Sequence, residues 1–279
     1  MSWMIVSDSS CELRTLSNAA PGVAFSTVPL KIRVGEREFV DNAALDVDVM
    51  IEAMHNYNGA STTACPSPEE WAEKFLMADQ VLAVTISSNL SGSYNSAMVA
   101  RDMVLENHPE KKIHVLDSLS TGGEMSLAIW KANDLIARGL PFEELVKEWE
   151  IWFQQRQILF ALASFDNLVK NGRVSKLVGF VAGVMNMRAV GRGSDDGKLE
   201  MLHKTRGETR MLALILEEMD HRGYHGQVPA VISHCQNEKG AQMLKTGIEK
   251  KWPGAKAIVL PCSGLTSFYA ESGGIIVGY

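Results

Sequence analysis

The stretch TISSNLSGSYNSAMVA, from Thr85 to Ala100, places five serines, one threonine and two asparagines in sixteen positions. It follows the apolar run VLAV and leads into a helical pattern. Hydroxyls gathered where a strand gives way to a helix have two uses. Ser, Asp and Asn cap helix N-termini. With unpaired backbone N–H groups and the positive end of the helix dipole, they also form an anion site. A helix starting near Ser91 offers such a site, with the Ser91 and Ser93 hydroxyls as donors. A carboxylate and a phosphate suit it equally, so the cluster alone does not choose between them. A second polar stretch, ASTTACPSPEEW, contains a capping box, with Ser67 as cap and Glu70 three residues on. Ser61, Thr62 and Thr63 are left over from that role, and Thr63 can add a donor from a neighbouring loop.

The elements that must position these groups read as alternating strands and helices. Short apolar runs at Trp3–Val6, Val81–Ile86, Ile113–Leu116, Ile158–Ala163, Pro229–Ser233 and Ala257–Leu260 have the character of buried parallel strands. Met125, Ala128, Ile129, Ala132, Leu135 and Ile136 mark one face of a helix that Gly139 and Pro141 stop. The pattern predicts an α/β protein with mainly parallel sheets. The first three strands each run into a polar cluster: SDSS (Ser7–Ser10), the stretch above, and LDSLSTGG (Leu116–Gly123). Ligands of open parallel sheets bind outside the carboxyl ends of the strands, so the three clusters predict one polar rim. A change of composition near Glu148–Gln157 predicts two domains, residues 1–154 and 155–279. In the second, Asn171-Gly172 reads as a turn or helix stop. Leu177, Val178, Phe180, Val181, Val184 and Met185 make the next helix apolar almost all round, which implies burial. GSDDGKLEML reads as a hairpin turning near Asp195–Gly197.

Composition removes several classes of function. The formal charge is −6 and the basic residues are scattered, which argues against nucleic acid as a partner, since phosphate binding needs clustered Lys and Arg. No apolar stretch approaches the roughly 18 residues of a membrane span. The opening MSWMIVSDSS lacks a basic leader and a long apolar region, so a cytoplasmic protein is expected. Cys11, Cys65, Cys235 and Cys262 show no CxxC or zinc spacing and are expected as free thiols, without a metal. Dinucleotide, P-loop and nucleophile-elbow signatures are missing. The paired carboxylates Asp195–Asp196 and Glu143–Glu144 sit in a turn and at a helix start, where solvated roles are expected.

Taken in order, VSDSSCEL, VPLKIRVGEREFVDN, TACPS, ISSNLSGSYNSA, LDS and DNLVKNGRVSK span almost the whole chain. In that combination the sequence resembles the DegV family. The resemblance implies two α/β domains with a long-chain fatty acid in the cleft between them. It also implies a carrier, with no cofactor beyond the bound lipid, that presents the acyl carboxylate to a separate fatty acid kinase for acyl phosphate formation. By position, Thr63 and Ser91 match the family's carboxylate-binding Thr and Ser, and Ser93 stands where a threonine is usual. Arg173 matches the arginine of the G-G-R motif, preceded here by Asn171 and Gly172. It has two readings, a charge near the site mouth or a partner surface, and a cap on the preceding helix's C-terminus. Leu177, Phe180, Val181 and Val184 are candidate walls for the acyl chain. Many members carry a histidine in H-x-G-P-G near the carboxylate; the matching AESGG has Ala270 there, followed by Glu271. Either the head group is held differently, with help from Tyr269, or the phosphotransfer role is weakened.

Two other readings stand beside this one. An enzyme acting on a small acyl or phosphorylated substrate through Ser91 needs a histidine in reach, and His114 is the candidate in the same half on a strand. A regulatory partner protein is the third.

Overall fold

The computed structural model describes residues 2–174 and 187–279. The helix predicted around Leu177, Phe180, Val181 and Val184 lies outside the described residues. The chain runs through β1 (Trp3–Asp8), β2 (Val23–Val28), β3 (Lys31–Val34), β4 (Arg37–Val40), α1 (Val47–His55), β5 (Thr62–Ala64) and α2 (Pro68–Phe75). It continues through β6 (Gln80–Thr85), α3 (Ser93–Asn107), β7 (Lys112–Asp117), α4 (Gly123–Ala137), α5 (Phe142–Phe153), β8 (Ile158–Leu162) and α6 (Asp166–Lys170). Then come β9 (Met187–Gly193), β10 (Leu199–Arg206), α7 (Glu208–His221), β11 (Ala230–His234), α8 (Glu238–Lys251), β12 (Ala257–Pro261), α9 (Gly264–Ala270) and β13 (Ile275–Gly278).

The fold is α/β, and each of the six predicted apolar runs forms a strand. A four-stranded sheet, β2-β1-β6-β7, is parallel throughout. Its two middle strands are buried on both faces, which is why they read as continuous apolar runs without alternation. Ile5, Leu82 and Val84 pack with α4 and α5 on one face. Met4, Val6, Val81 and Ala83 pack with α2 and α3 on the other. A six-stranded sheet has the order β10-β9-β8-β13-β11-β12. Here the expectation of parallel pairing holds only for β11–β12; the other pairs are antiparallel. The reason is connectivity. β9 and β10 are joined by the tight turn at Ser194–Gly197, which permits only antiparallel pairing, and the four-residue β13 returns between β8 and β11. A small antiparallel sheet, β4-β3-β5, completes the set.

Helix α4 joins the two larger sheets. Its predicted apolar face is buried on β1 and β6, while its first turn lies against β11 and β13. That approach depends on glycines. A Cβ on Gly123 would stand 2.7 Å from the Val231 side chain and 2.8 Å from its backbone oxygen, and one on Gly278 would stand 2.3 Å from Glu124 N. The capping box at α2 forms as read: Glu70 N donates to Ser67 Oγ at 3.3 Å and Ser67 N to Glu70 Oε2 at 2.8 Å. Because backbone oxygen cannot swing aside, Gly123→Ala is expected to lower unfolding stability by about 1–3 kcal/mol. Denaturant titration with an unchanged m-value checks this, and an unaltered midpoint would mean that the two sheets are not locked through α4.

Candidate functional site

The three polar clusters meet, as their positions at strand ends predicted. Asp8, at the end of β1, is fully buried. It accepts hydrogen bonds from Ile86 N at 2.9 Å, Ser93 Oγ at 2.6 Å, Ser10 N at 3.2 Å and the Ser10 hydroxyl. Burial pushes its carboxyl above the usual range, and the donated bonds oppose that shift. Ser87 N donates to Ser120 O at 2.9 Å and Ser88 N to Asp117 Oδ1 at 3.1 Å, which ties the second cluster to the third. Three of the six Ser and Thr hydroxyls of the opening stretch, those of Ser87, Ser93 and Ser96, are spent on such ties. Ser87 Oγ holds Gly197 O of the β9–β10 turn at 2.7 Å, and Ser96 Oγ holds Pro66 O at 2.6 Å. Ser93, expected as an anion donor, is fully buried with its hydroxyl on Asp8 and does not line the cavity described next. Helix α3 begins at Ser93 with Gly92 as its cap, so Ser91 lies just outside it.

Between the four-stranded sheet's loops and the six-stranded sheet lies a crevice of about 820 Å³, counting its open mouth. Thr63, Ser91, Arg173 and Tyr269 all line it, half-buried. Contacts gather them into one group. Thr63, on β5, shares a hydrogen bond of 2.9 Å with the Tyr269 hydroxyl of α9. Burial pushes the Tyr269 phenol above its usual range, and the charge of Arg173 opposes that shift. The Arg173 Nε donates to Leu90 O, the carbonyl preceding Ser91, at 3.0 Å, and the guanidinium also reaches Asn171 O. Both readings of Arg173 have a counterpart in this geometry. Gly172 N donates to Val169 O at 3.0 Å and Arg173 N to Leu168 O at 2.8 Å, the Schellman pattern that ends α6 with Gly172 at φ +71°. That backbone stop turns the side chain of Arg173 into the crevice. No carboxylate lies within ion-pair distance of it among the described residues.

Most of the rest of the lining is apolar, Ser120, Thr121, Lys198 and Thr266 being the polar exceptions. Ile158, Phe160 and Leu162 come from β8, Ile276 from β13, Leu199 from β10 and Leu265 from α9. The apolar run at Ile158–Ala163 marks β8 but not its wall residues, because a strand buried on both faces shows no alternation to say which face meets a cavity. Ala270 also lines the crevice. Glu271 does not: at φ +53° it turns away, accepts from Asn167 N at 3.2 Å, and is held above the usual carboxylate range by burial. His114 faces α5, 3.3 Å from Glu150 and edge-on to Trp149, and no histidine is among the described residues that line the crevice. No group of three or more metal-ligating side chains occurs among the described residues, and no described helix is long and apolar enough to cross a membrane.

A model of the DegV family matches residues 2–279. A DegV domain-containing protein of Streptococcus gordonii is 47% identical over 279 residues, covering 100% of this chain and 99% of its own. Among solved structures, the fatty acid kinase (Fak) B3 protein of Streptococcus pneumoniae, loaded with linoleic acid, superposes with a TM-score of 0.97 at 46% identity, over 100% of this chain and 99% of its own. A DegV family protein of Eubacterium eligens loaded with heptadecanoic acid gives 0.94 at 36% identity, over 99% of each chain.

The placement of Ser93 separates structural from site hydroxyls. Ser93→Ala is expected to lower stability by about 1–3 kcal/mol through the bond lost to a buried carboxylate, with the crevice lining unchanged. Thermal unfolding reads the first effect. A variant as stable as the parent would remove Ser93 from the Asp8 network.

Proposed function

Because the chain belongs to the DegV family, we propose that the crevice binds one long-chain fatty acid and presents its carboxylate to a separate kinase for acyl phosphate formation. One observation carries the reading. Arg173, with only carbonyl partners among the described residues, stands beside the paired hydroxyls of Thr63 and Tyr269 in a crevice whose walls are mainly apolar and whose other lining cation, Lys198, is paired with Asp196. That is an unspent cation with neutral donors around it, and a single anionic head group with an apolar tail matches both. The names of the two loaded relatives agree with this ligand class, and the name of the first supports the kinase as partner. Cytoplasmic work beside such a kinase follows from the same reading. So does a division of labour in which residues 1–154 supply Thr63 and Ser91 and residues 155–279 supply Arg173, Tyr269 and the wall of β8.

Thr63 and Tyr269 bond to each other. A carboxylate entering between them accepts from both, from Ser91, and from the guanidinium. Each hydrogen bond to a charged acceptor contributes about 1.5–3 kcal/mol net. The tail contributes more: burying ~16 carbons at ~0.8 kcal/mol each gives on the order of 12 kcal/mol before ordering costs. Affinity therefore rests on the wall, and the polar group fixes where the head lies. The rival enzyme reading gives Ser91 a histidine base, and His114 packs on α5 instead.

Solvent extraction of freshly purified protein, followed by mass spectrometry, is expected to yield one fatty acid per chain. Thr63→Val combined with Ser91→Ala is expected to weaken binding of oleate at least about 100-fold, from two lost charge-accepting bonds. An empty extract from protein that also takes up no added oleate would sink the reading, as would unchanged affinity in the double variant.

A further inference from the structure

Helix α9 carries Leu265, Thr266, Tyr269 and Ala270 to the crevice, and its N-terminus is held by two buried carboxylates from the beginning of the chain. Asp41 accepts from Gly264 N at 2.8 Å and Leu265 N at 2.9 Å, and Arg14 pairs with it at 2.5 Å. Glu12 accepts at Oε2 from Ser263 N at 2.6 Å and from Thr266 Oγ1 at 3.1 Å. The two differ in what balances them. Glu12 has no ion pair among the described residues, and its Oε1 is buried without a hydrogen-bond partner. Ser233 Oγ is also buried and unpaired. Both atoms lie on the bare flank of Gly122, where a Cβ would stand 3.3 Å from Oε1 and 3.7 Å from Ser233 Oγ. An unpartnered oxygen of an ionised carboxylate is costly to bury. The protonated acid removes the buried charge, while Oε2 still accepts from α9.

We propose that Glu12 is a positioning residue whose protonated form holds α9, and with it Tyr269, closed on a fatty acid, and whose ionisation loosens the helix and speeds ligand exchange. The proposal rests on the reading of the crevice as a fatty-acid site. Burial pushes the Glu12 carboxyl up to about 7, the bonds from Ser263 and Thr266 lower it, and among charges Asp41 raises it and Arg14 lowers it. The thiols of Cys235, after β11, and Cys262, after β12, also face it, both held neutral by burial. The sign follows from linkage. The closed helix binds the Glu12 proton more tightly than an open, solvated arrangement, where the carboxyl returns to about 4.3. Closure is therefore favoured at low pH, loses ground as pH rises from about 4.3 to about 7 and levels off above that, the closed-to-open ratio falling about tenfold between about pH 6 and about pH 8.

The test loads the full chain with the fluorescent fatty acid cis-parinaric acid and chases it with excess oleate, measuring the release rate across this range. In the unmodified protein, release is expected to accelerate about tenfold with rising pH. Glu12→Gln, a neutral isostere that keeps an acceptor oxygen for Ser263 N and Thr266, is expected to release slowly and without pH dependence. Titration of the ligand's own carboxyl is common to both proteins and cancels in the comparison. Thr266→Val, which removes a donor that favours the ionised form, is expected to move the midpoint upward, and it serves should the glutamine variant fail to fold. An identical rise in Glu12→Gln, or an unmoved midpoint in Thr266→Val, overturns the role of Glu12 and leaves the fatty-acid reading standing. Absence of probe binding at every pH overturns that reading itself.

Discussion

The buried carboxylate of Asp8 is the constraint on which the polar rim depends. It ends β1 with four donors directed at two oxygens, from Ser10 twice, Ile86 and Ser93. Such a group is stable only while every donor is in place, since each lost bond leaves a buried charge or a buried donor unsatisfied. The network fixes the start of α3 relative to the end of β1. That in turn sets Ser91 one step outside the helix, with its side chain at the crevice. The wealth of hydroxyls after β6 is thus in good part a scaffold of loop ties, and the candidate ligand group is what the scaffold leaves uncommitted.

The site is assembled from distant parts of the chain. Thr63 and Tyr269 are 206 residues apart, joined across the small sheet and α9. The short helix α9 has no side-chain cap of its own; its free N–H groups are satisfied by Glu12 and Asp41. This inverts the usual arrangement in which a helix N-terminus receives a ligand anion. Here the protein's own carboxylates occupy the helix end, and the crevice receives side chains from the helix flank. A ligand touching Thr63 and Tyr269 together therefore stabilises the docking of α9 on the small sheet, because it binds only the assembled form.

How far this was legible depended on the range of each signal. Local chemistry read well. The Ser67–Glu70 box, the Asn171-Gly172 stop, the turn at Asp195–Gly197 and the apolar face of α4 all rest on neighbours within a few residues. The apolar runs named the buried strands, but β2, β3, β4 and β5 were missed, being short, polar or partly exposed, and so was the four-residue β13. Long-range partners were out of reach. Nothing near Ser93 announces Asp8, 85 residues earlier, and nothing in Ile158–Leu162 says which residues of a doubly buried strand face a cavity. Thr63 and Ser91 stand out in the pattern as surplus hydroxyls near helix starts, but their assignment to a carboxylate, and the interest of Tyr269, follow only from the family resemblance. The structure adds that the backbone of Arg173 closes the end of α6 while its side chain lines the crevice.

The chemistry of the polar group bears on why a carrier would hold a carboxylate this way. On the proposed reading, neutral hydroxyls from Thr63, Ser91 and Tyr269 supply most of the donors and Arg173 the one charge. Burial raises the Tyr269 phenol further above neutrality, so it remains a proton donor across the physiological range. A head group held by such donors stays ionised, and an ionised oxygen is what a phosphoryl acceptor needs. A fully paired, deeply buried salt bridge would hold the head more firmly but would quench that oxygen and resist reopening. With the apolar wall supplying most of the affinity, the polar group is free to be weak, local and half-exposed, which is how the four side chains are found.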